Sequence, residues 1–200
     1  MTDPDPAANG LPCVLGIAAW SGSGKTTLLK ALLPLLRERG LSVAVVKHAH
    51  HDFDIDLPGK DSYELRKAGA STVLVGSRKR WALVVETDLP EEPELPDLLQ
   101  HLPTAGLDLV LVEGLKREGL PKIEVHRPAL GRPLLFPEDR HIIAVASDAA
   151  IPLPTALPLL DLNAPGQIAE FIVRRFGLNS RDGKTSPNEP NAGTPLAGAR

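Results

Sequence analysis

Cysteine occurs once in this 200-residue chain, as Cys13, and a single thiol cannot close an internal disulfide. It stands at the start of an apolar strand pattern, which predicts a buried, inert thiol rather than a nucleophile. Surplus positive charge is missing too. Lys and Arg number 22 against 25 Asp and Glu, a formal net charge of −3, so no global basic field points to nucleic acid as a partner. No apolar run approaches the roughly 20 residues that span a bilayer. The opening Met1-Thr2-Asp3-Pro4-Asp5-Pro6 is acidic and proline-rich rather than signal-like, so the cytoplasm is the expected location and no membrane partner is expected. No internal repeat is present. The 20 prolines and 17 glycines are many for this length, but they are unevenly spread. The stretch 179–200 holds Pro187, Pro190 and Pro195 among Gly, Asn and Ser, with Leu196 its only large apolar side chain. Residues 1–11 and 179–200 are therefore expected to be disordered, leaving one folded domain over 12–178.

What is present is concentrated at the front of that domain. An apolar run, Val14-Leu15-Gly16-Ile17-Ala18, gives way to Ala19-Trp20-Ser21-Gly22-Ser23-Gly24-Lys25-Thr26-Thr27, where a helical pattern opens. A strand, a glycine-rich turn and a helix N-terminus together form the device that holds nucleotide phosphates. Small residues let backbone N–H groups turn toward the anion, the Lys25 ammonium reaches the β- and γ-phosphates, and the Thr26 hydroxyl can coordinate Mg²⁺. The phosphate-loop pattern has glycine at its first position, where this chain has Ala19, the mildest replacement.

Downstream, leucines at helical spacing predict a helix over 26–39, with Pro34 kinking it and Gly40 at the C′ position. The run 41–47 suits a buried parallel strand. A polar loop over 48–60 leads to a short helix ending near Gly69, with Asp61-Ser62-Tyr63-Glu64 at capping-box spacing. Residues 72–75 and 81–86 read as a hairpin with a basic tip, 94–102 as a weak helix, and 107–114, 123–126 and 142–146 as strands. A closing helix covers 167–176. Alternating strands and helices predict an α/β fold: a phosphate-loop NTPase-like, mostly parallel sheet flanked by helices, with a β-hairpin extension, the nucleotide lying at the carboxyl ends of the strands.

Further residues are placed at that edge. Glu113 ends an apolar strand and reads either as the acid that orients Mg²⁺ or as a strand-terminal glutamate facing solvent, the phosphate loop favouring the first. The adjacent Gly114 lets backbone approach a phosphate. The loop carrying His48, His50, His51 and Asp52 admits three readings: a switch loop whose aspartate meets the Mg²⁺, a transition-metal site, or plain solvated loop. The switch reading makes Lys25, Asp52 and Glu113 the catalytic candidates and Thr26, Asp52 and Glu113 the metal ligands. Asp148 ends a late strand and either accepts the N1–H and N2–H of guanine or caps local structure. The Asn-Lys-x-Asp guanine motif itself is absent. Trp20, inside the phosphate loop, shields or stacks near the nucleotide, whereas Trp81 reads as core or interface.

Taken together these segments resemble the MobB family of molybdopterin-guanine dinucleotide biosynthesis adapter proteins. The resemblance runs in order from Leu15 to about Phe176. It is carried by the phosphate loop through Lys30, by Lys47-His48-Ala49-His50-His51-Asp52, by the stretch from Pro58-Gly59-Lys60-Asp61-Ser62 to Ala70, and by Arg80-Trp81-Ala82-Leu83. Asp108 through Gly114 and Arg140 through Asp148 complete it. Ala19 also suits this family. The resemblance implies a GTP- and Mg²⁺-binding homodimer, a weak GTPase at most, that assists the molybdopterin guanylyltransferase in attaching GMP to molybdopterin. Nucleotidyl transfer then belongs to the partner, consistent with the lack of a nucleotidyltransferase signature here. No glutamine or arginine finger stands out to speed hydrolysis. Two other readings use the same loop. A small-molecule kinase would need lid arginines, a part Arg78 and Arg80 could play. A GTP-dependent metal-insertion chaperone would need a ligand cluster, which only the histidines offer.

Overall fold

The computed structural model describes residues 11–49, 53–89, 91–114 and 118–178. Along the chain run β1 (Cys13–Ala18), α1 (Lys25–Glu38), β2 (Val43–Lys47), α2 (Asp61–Lys67), β3 (Thr72–Gly76) and β4 (Trp81–Val85). There follow α3 (Leu95–Gln100), β5 (Leu109–Glu113), β6 (Lys122–His126), β7 (Ile142–Ser147), β8 (Leu159–Asp161) and α4 (Pro165–Arg175). The chain divides into two compact units, one of residues up to His48 with those from Leu98 onward, the other Ala49–Asp97.

In the first unit six strands pair in the order β2-β5-β1-β6-β7-β8, all parallel. Parallel pairing puts every carboxyl end on the same edge, so the loops after β1, β2, β5, β6 and β7 emerge together. The five residues of β5, next to β1, are all buried, as expected for an inner strand covered on both faces. Alternate residues Leu15, Ile17, Leu109, Leu111, Ile123, Val125, Ala144 and Ala146 form one core with Leu28, Leu29, Leu32 and Leu36 of α1 and Ile168, Ala169 and Ile172 of α4. Burying one such leucine contributes about 1.5–3 kcal/mol. Cys13 lies in this core, as its sequence setting implies.

α1 continues through Pro34, which lies on the exposed side, where the carbonyl it leaves without a helical partner can bond water. The helix stops where Gly40, with φ 75°, donates to the Arg37 carbonyl and Leu41 donates to that of Leu36, a turn closed by the buried Leu36 and Leu41.

The opposite face of the sheet is less regular. Lys122, Glu124 and His126 alternate along β6, yet all three are buried. Lys122 donates to the Glu118 carbonyl at 2.6 Å and pairs with Asp139 at 2.7 Å. Glu124 accepts the backbone N–H groups of Leu135 and Phe136 at 2.7 and 2.9 Å. Burial pushes the Glu124 carboxyl up, and those two N–H groups oppose the rise. Burial also acts to raise Asp139, but the Lys122 ammonium and the His141 N–H together hold it below the usual aspartate value. These contacts fasten the segment after β6 across that face.

The second unit contains α2 and the β3–β4 hairpin, which forms a two-stranded sheet of its own. The N-cap of α2 is Lys60, one residue before the expected Asp61, with no side-chain cap. Glu64 instead reaches back to the Gly59 N–H at 3.1 Å. Arg66, a buried residue of α2, gathers Asp54, Asp56 and Glu86 around its guanidinium. Phe53, Ile55 and Leu57, which alternate with those two aspartates, are exposed, as are Leu74, Val75, Trp81, Leu83 and Val85 of the hairpin. Trp81 is thus no core residue of its own chain. No helix among the described residues is long and apolar enough to cross a membrane.

Candidate functional site

β1 ends at Ala18, and the chain turns at once, the Ser23 N–H donating to the Trp20 carbonyl at 3.3 Å. Gly24 caps α1 with φ 95° and ψ 24°, a left-handed geometry that a side chain rarely adopts. The helix it opens is 14 residues long, has no side-chain cap and carries no acidic residue in its first turn. Its N-terminal N–H groups and dipole therefore meet no carboxylate of their own, which favours an incoming anion. Lys25 arches back over the loop, its Nζ donating to the carbonyls of Ala19 and Trp20, each at 3.3 Å. Ser21, Gly22 and Thr27 are exposed, whereas Ser23 is buried.

The Thr26 hydroxyl donates to Glu113 Oε1 at 3.0 Å. Glu113 is buried and sits between β1 and β2, in register with Ile17 on one side and Lys47 on the other. The sequence places Thr26 and Glu113 87 residues apart, and the fold joins them. Next to them Gly114 has φ 120°, and a Cβ there would stand 3.0 Å from the His48 carbonyl oxygen and 3.2 Å from the His48 Cβ. That carbonyl end of β2 is itself fixed, because the His48 N–H donates to the Glu113 carbonyl at 2.9 Å. Only glycine lets the two strand ends pass this closely. A hydroxyl and a carboxylate are hard oxygen donors, and Mg²⁺ takes one or two such protein ligands, completing its shell with water and phosphate oxygens. The pair fits that ion. Among the described residues no group of three or more His, Cys, Asp and Glu could hold a metal by itself. Asp52, His50 and His51 lie outside the described residues; His48 is buried against the end of β5.

Asp148 follows β7, two strands from β1 in the sheet order, and pairs with Arg127 at 2.5 Å. The same arginine donates through Nε to the Ser23 carbonyl of the loop at 3.0 Å. Arg127 is a site residue that sequence reasoning did not single out. The signal available was a cation directly after a buried strand. Trp20 donates through Nε1 to the Pro133 carbonyl at 2.8 Å, with the Arg132 guanidinium 6.0 Å from its ring centre. It ties the loop to the segment that follows β6. The site thus offers a cationic, N–H-rich loop, a hydroxyl–carboxylate pair suited to Mg²⁺, and a second carboxylate along the same edge.

Comparison with known proteins agrees with this architecture. The family described as "Molybdopterin guanine dinucleotide synthesis protein B" (MobB) matches residues 14–148. A relative from Escherichia coli (strain K12), named molybdopterin-guanine dinucleotide biosynthesis adapter protein, is 52% identical over 161 residues, 80% of this chain and 91% of that protein. A protein of the same name from Haemophilus influenzae is 46% identical, covering 82% of this chain and 89% of its own. The crystal structure of a molybdopterin-guanine biosynthesis protein B is 30% identical, with a TM-score of 0.62 over 81% of this chain and 99% of that one. A MobB homologue from Bacillus stearothermophilus, 24% identical, has the same fold at a TM-score of 0.62, with 82% and 97% of the two chains covered. With the family matched from the first strand to Asp148, and half of the aligned residues shared with a relative covered over 91% of its length, the chain belongs to the MobB family.

Proposed function

We propose that this chain is a GTP-binding adapter of the cytoplasm, a slow GTPase at most, that assists a molybdopterin guanylyltransferase in making the guanine dinucleotide form of the molybdenum cofactor. The observation that carries the nucleotide part is the loop itself: Lys25 arched over its carbonyls beside the Thr26–Glu113 pair. The adapter part is supported by the names that the relatives bear. Lys25 and the loop N–H groups hold the phosphates, and Thr26 and Glu113 hold Mg²⁺. The ion supplies charge neutralisation on the phosphate oxygens. Asp148 accepts from the guanine edge. Asp52 is proposed to join the metal site from the loop after β2.

Slow hydrolysis is supported by the scarcity of glutamines to orient a water. The chain has two glutamines. Gln100 is on α3 and Gln167 on α4, and neither side chain hydrogen-bonds the phosphate loop among the described residues. The test is direct: titrate GTP, ATP and Mg²⁺ against the purified chain, and capture partners with molybdopterin guanylyltransferase present. Guanine preference with capture of that enzyme supports the reading. ATP preference with phosphate transfer to an acceptor would replace it with a kinase.

Glu113→Gln keeps size and loses charge. GTP affinity is expected to stay within about tenfold while Mg²⁺-dependent hydrolysis falls by more than that. Undiminished hydrolysis would return Glu113 to a strand terminus without a metal role.

The proposal includes a homodimer built on the hairpin. One face of β3–β4 carries exposed Leu74, Trp81, Leu83 and Val85 and the other exposed Val75, an arrangement that invites association unless covered. Two copies related by a twofold axis would cover it. Val75→Asp is therefore expected to shift the chain toward monomer in light scattering. A monomeric wild type, or a fully dimeric variant, would remove the hairpin from the interface.

A further inference from the structure

Arg127 is the one side chain that touches both the phosphate loop and Asp148 among the described residues. It follows β6 directly, in extended backbone with φ −124° and ψ 103°. Its Nε donates to the Ser23 carbonyl at 3.0 Å, its Nη1 meets Asp148 Oδ2 at 2.5 Å, and its Nη2 stands 3.5 Å from where a Cβ on Gly24 would be. The planar fork therefore lies along the loop with one edge on backbone and one corner on a carboxylate. Its perch is held firm by neighbours: Trp20 binds the Pro133 carbonyl, and Glu124 binds the N–H groups of Leu135 and Phe136 further along the same segment. Asp148 gives one oxygen to Arg127, and its Oδ1 has no hydrogen bond among the described residues. A carboxylate has about four lone-pair sites, so the arginine leaves room for a base's two N–H donors while fixing the plane in which they are met.

We propose that Arg127 is a specificity-determining positioning residue: by gripping the Ser23 carbonyl and the Asp148 carboxylate together, it sets the orientation in which Asp148 meets the guanine edge and couples base recognition to the phosphate loop. The inference rests on the guanine-nucleotide reading of the site. Lysine cannot take over this task. A single ammonium keeps the positive charge but lacks the fixed fork that reaches both partners at once.

The experiment compares wild type, Arg127→Lys and Asp148→Asn by equilibrium binding of GTP, ITP, XTP, ATP and inorganic tripolyphosphate in Mg²⁺. ITP lacks the 2-amino group, so the GTP-to-ITP ratio reads the second hydrogen bond to Asp148. XTP carries an oxygen at that position, which an asparagine amide can donate to. For Arg127→Lys the GTP-to-ITP ratio is expected to fall about tenfold, with tripolyphosphate binding changed much less. For Asp148→Asn the preference is expected to move from GTP toward XTP. If that shift occurs while Arg127→Lys leaves the GTP-to-ITP ratio unchanged, Asp148 reads the base and the role given to Arg127 is wrong. If Arg127→Lys lowers GTP, ITP and tripolyphosphate equally, Arg127 is a phosphate cation and the proposal is overturned. If wild type shows no guanine preference, or Asp148→Asn no shift to XTP, the base assignment fails, and the role of Arg127 fails with it.

Discussion

Lys25→Ala is expected to reduce GTP affinity at least a hundredfold, a loss of about 2.7 kcal/mol, while leaving the fold in place. The ammonium is a point charge where the phosphates would lie, and it is steadied there by the carbonyls of Ala19 and Trp20 at 3.3 Å. It takes no part in the apolar core, which begins on α1 at Leu28. As the first helical residue, position 25 accepts alanine without conflict, since alanine is the best helix former. Thermal stability should therefore stay within about 0.5 kcal/mol of wild type, as for surface changes in general. Titration calorimetry reads the first quantity and a circular-dichroism melt the second. Retained GTP affinity in a folded variant would remove the phosphate-loop assignment.

Most of the sheet was legible because buried parallel strands are nearly continuous apolar runs between glycine-rich or polar loops. Leu109-Val110-Leu111-Val112 announces itself in this way as β5. Ser42-Val43-Ala44-Val45-Val46 gives a strand within two residues of the expected bounds, but β2 lies at the sheet edge. Val46 is its one buried residue and Val45 is exposed, so the burial expected from its apolar run is not found. β8 was not legible. It has three residues, set among Pro152, Pro154 and Pro158, and it exists because β7 offers a free edge at Val145, Ala146 and Ser147. The buried face of β6 was hidden for the opposite reason. Lys122, Glu124 and His126 alternate with Ile123 and Val125, a pattern that ordinarily means one face in water. Here Asp139 and the Leu135 and Phe136 N–H groups come from elsewhere in the chain to satisfy the polar face.

The site divides along the same line. Lys25, Thr26 and Gly24 are local in sequence, and a local motif carries them. Glu113 is legible as a candidate because an acid closing an apolar strand has a limited set of uses, and the fold brings it within 3.0 Å of the Thr26 hydroxyl. Arg127 was missed because its partners are 104 residues upstream and 21 downstream, and no short pattern joins them. In α2 the local signal was right in kind and wrong by one position. Glu64 does reach back to a backbone N–H, but to that of Gly59, because the chain enters the helix at Lys60.

Arg66→Ala is expected to loosen the second unit far more than a surface substitution would. Arg66 Nη2 meets Asp54 at 2.6 Å, its Nε meets Asp56 at 3.1 Å, and Nη1 bonds Glu86, which follows β4. One cation thus joins the loop at 54–56, helix α2 and the end of the hairpin. Removing it leaves three carboxylates converging with no guanidinium between them. It also releases the constraint that turns Asp54 and Asp56 toward α2, and with them the outward display of Phe53, Ile55 and Leu57. Hydrogen exchange should quicken about tenfold or more across 71–86, and protease should cut the 53–60 loop sooner. The effect has a defined pH window. The Glu86 and Asp54 hydrogen bonds raise the Arg66 pKa, and the Arg66 hydrogen bond lowers that of Asp54 below its ordinary 3.8. A carboxylate with a lowered folded pKa stabilises above its unfolded value and loses that contribution as pH falls through the folded one. The difference between wild type and variant should hold at neutral pH and shrink as pH drops below about 4. Arg66→Lys, which keeps the charge but reaches fewer of the three acids, should fall between them. Exchange across 71–86 that is the same in all three proteins would show that the hairpin is held by something other than this arginine.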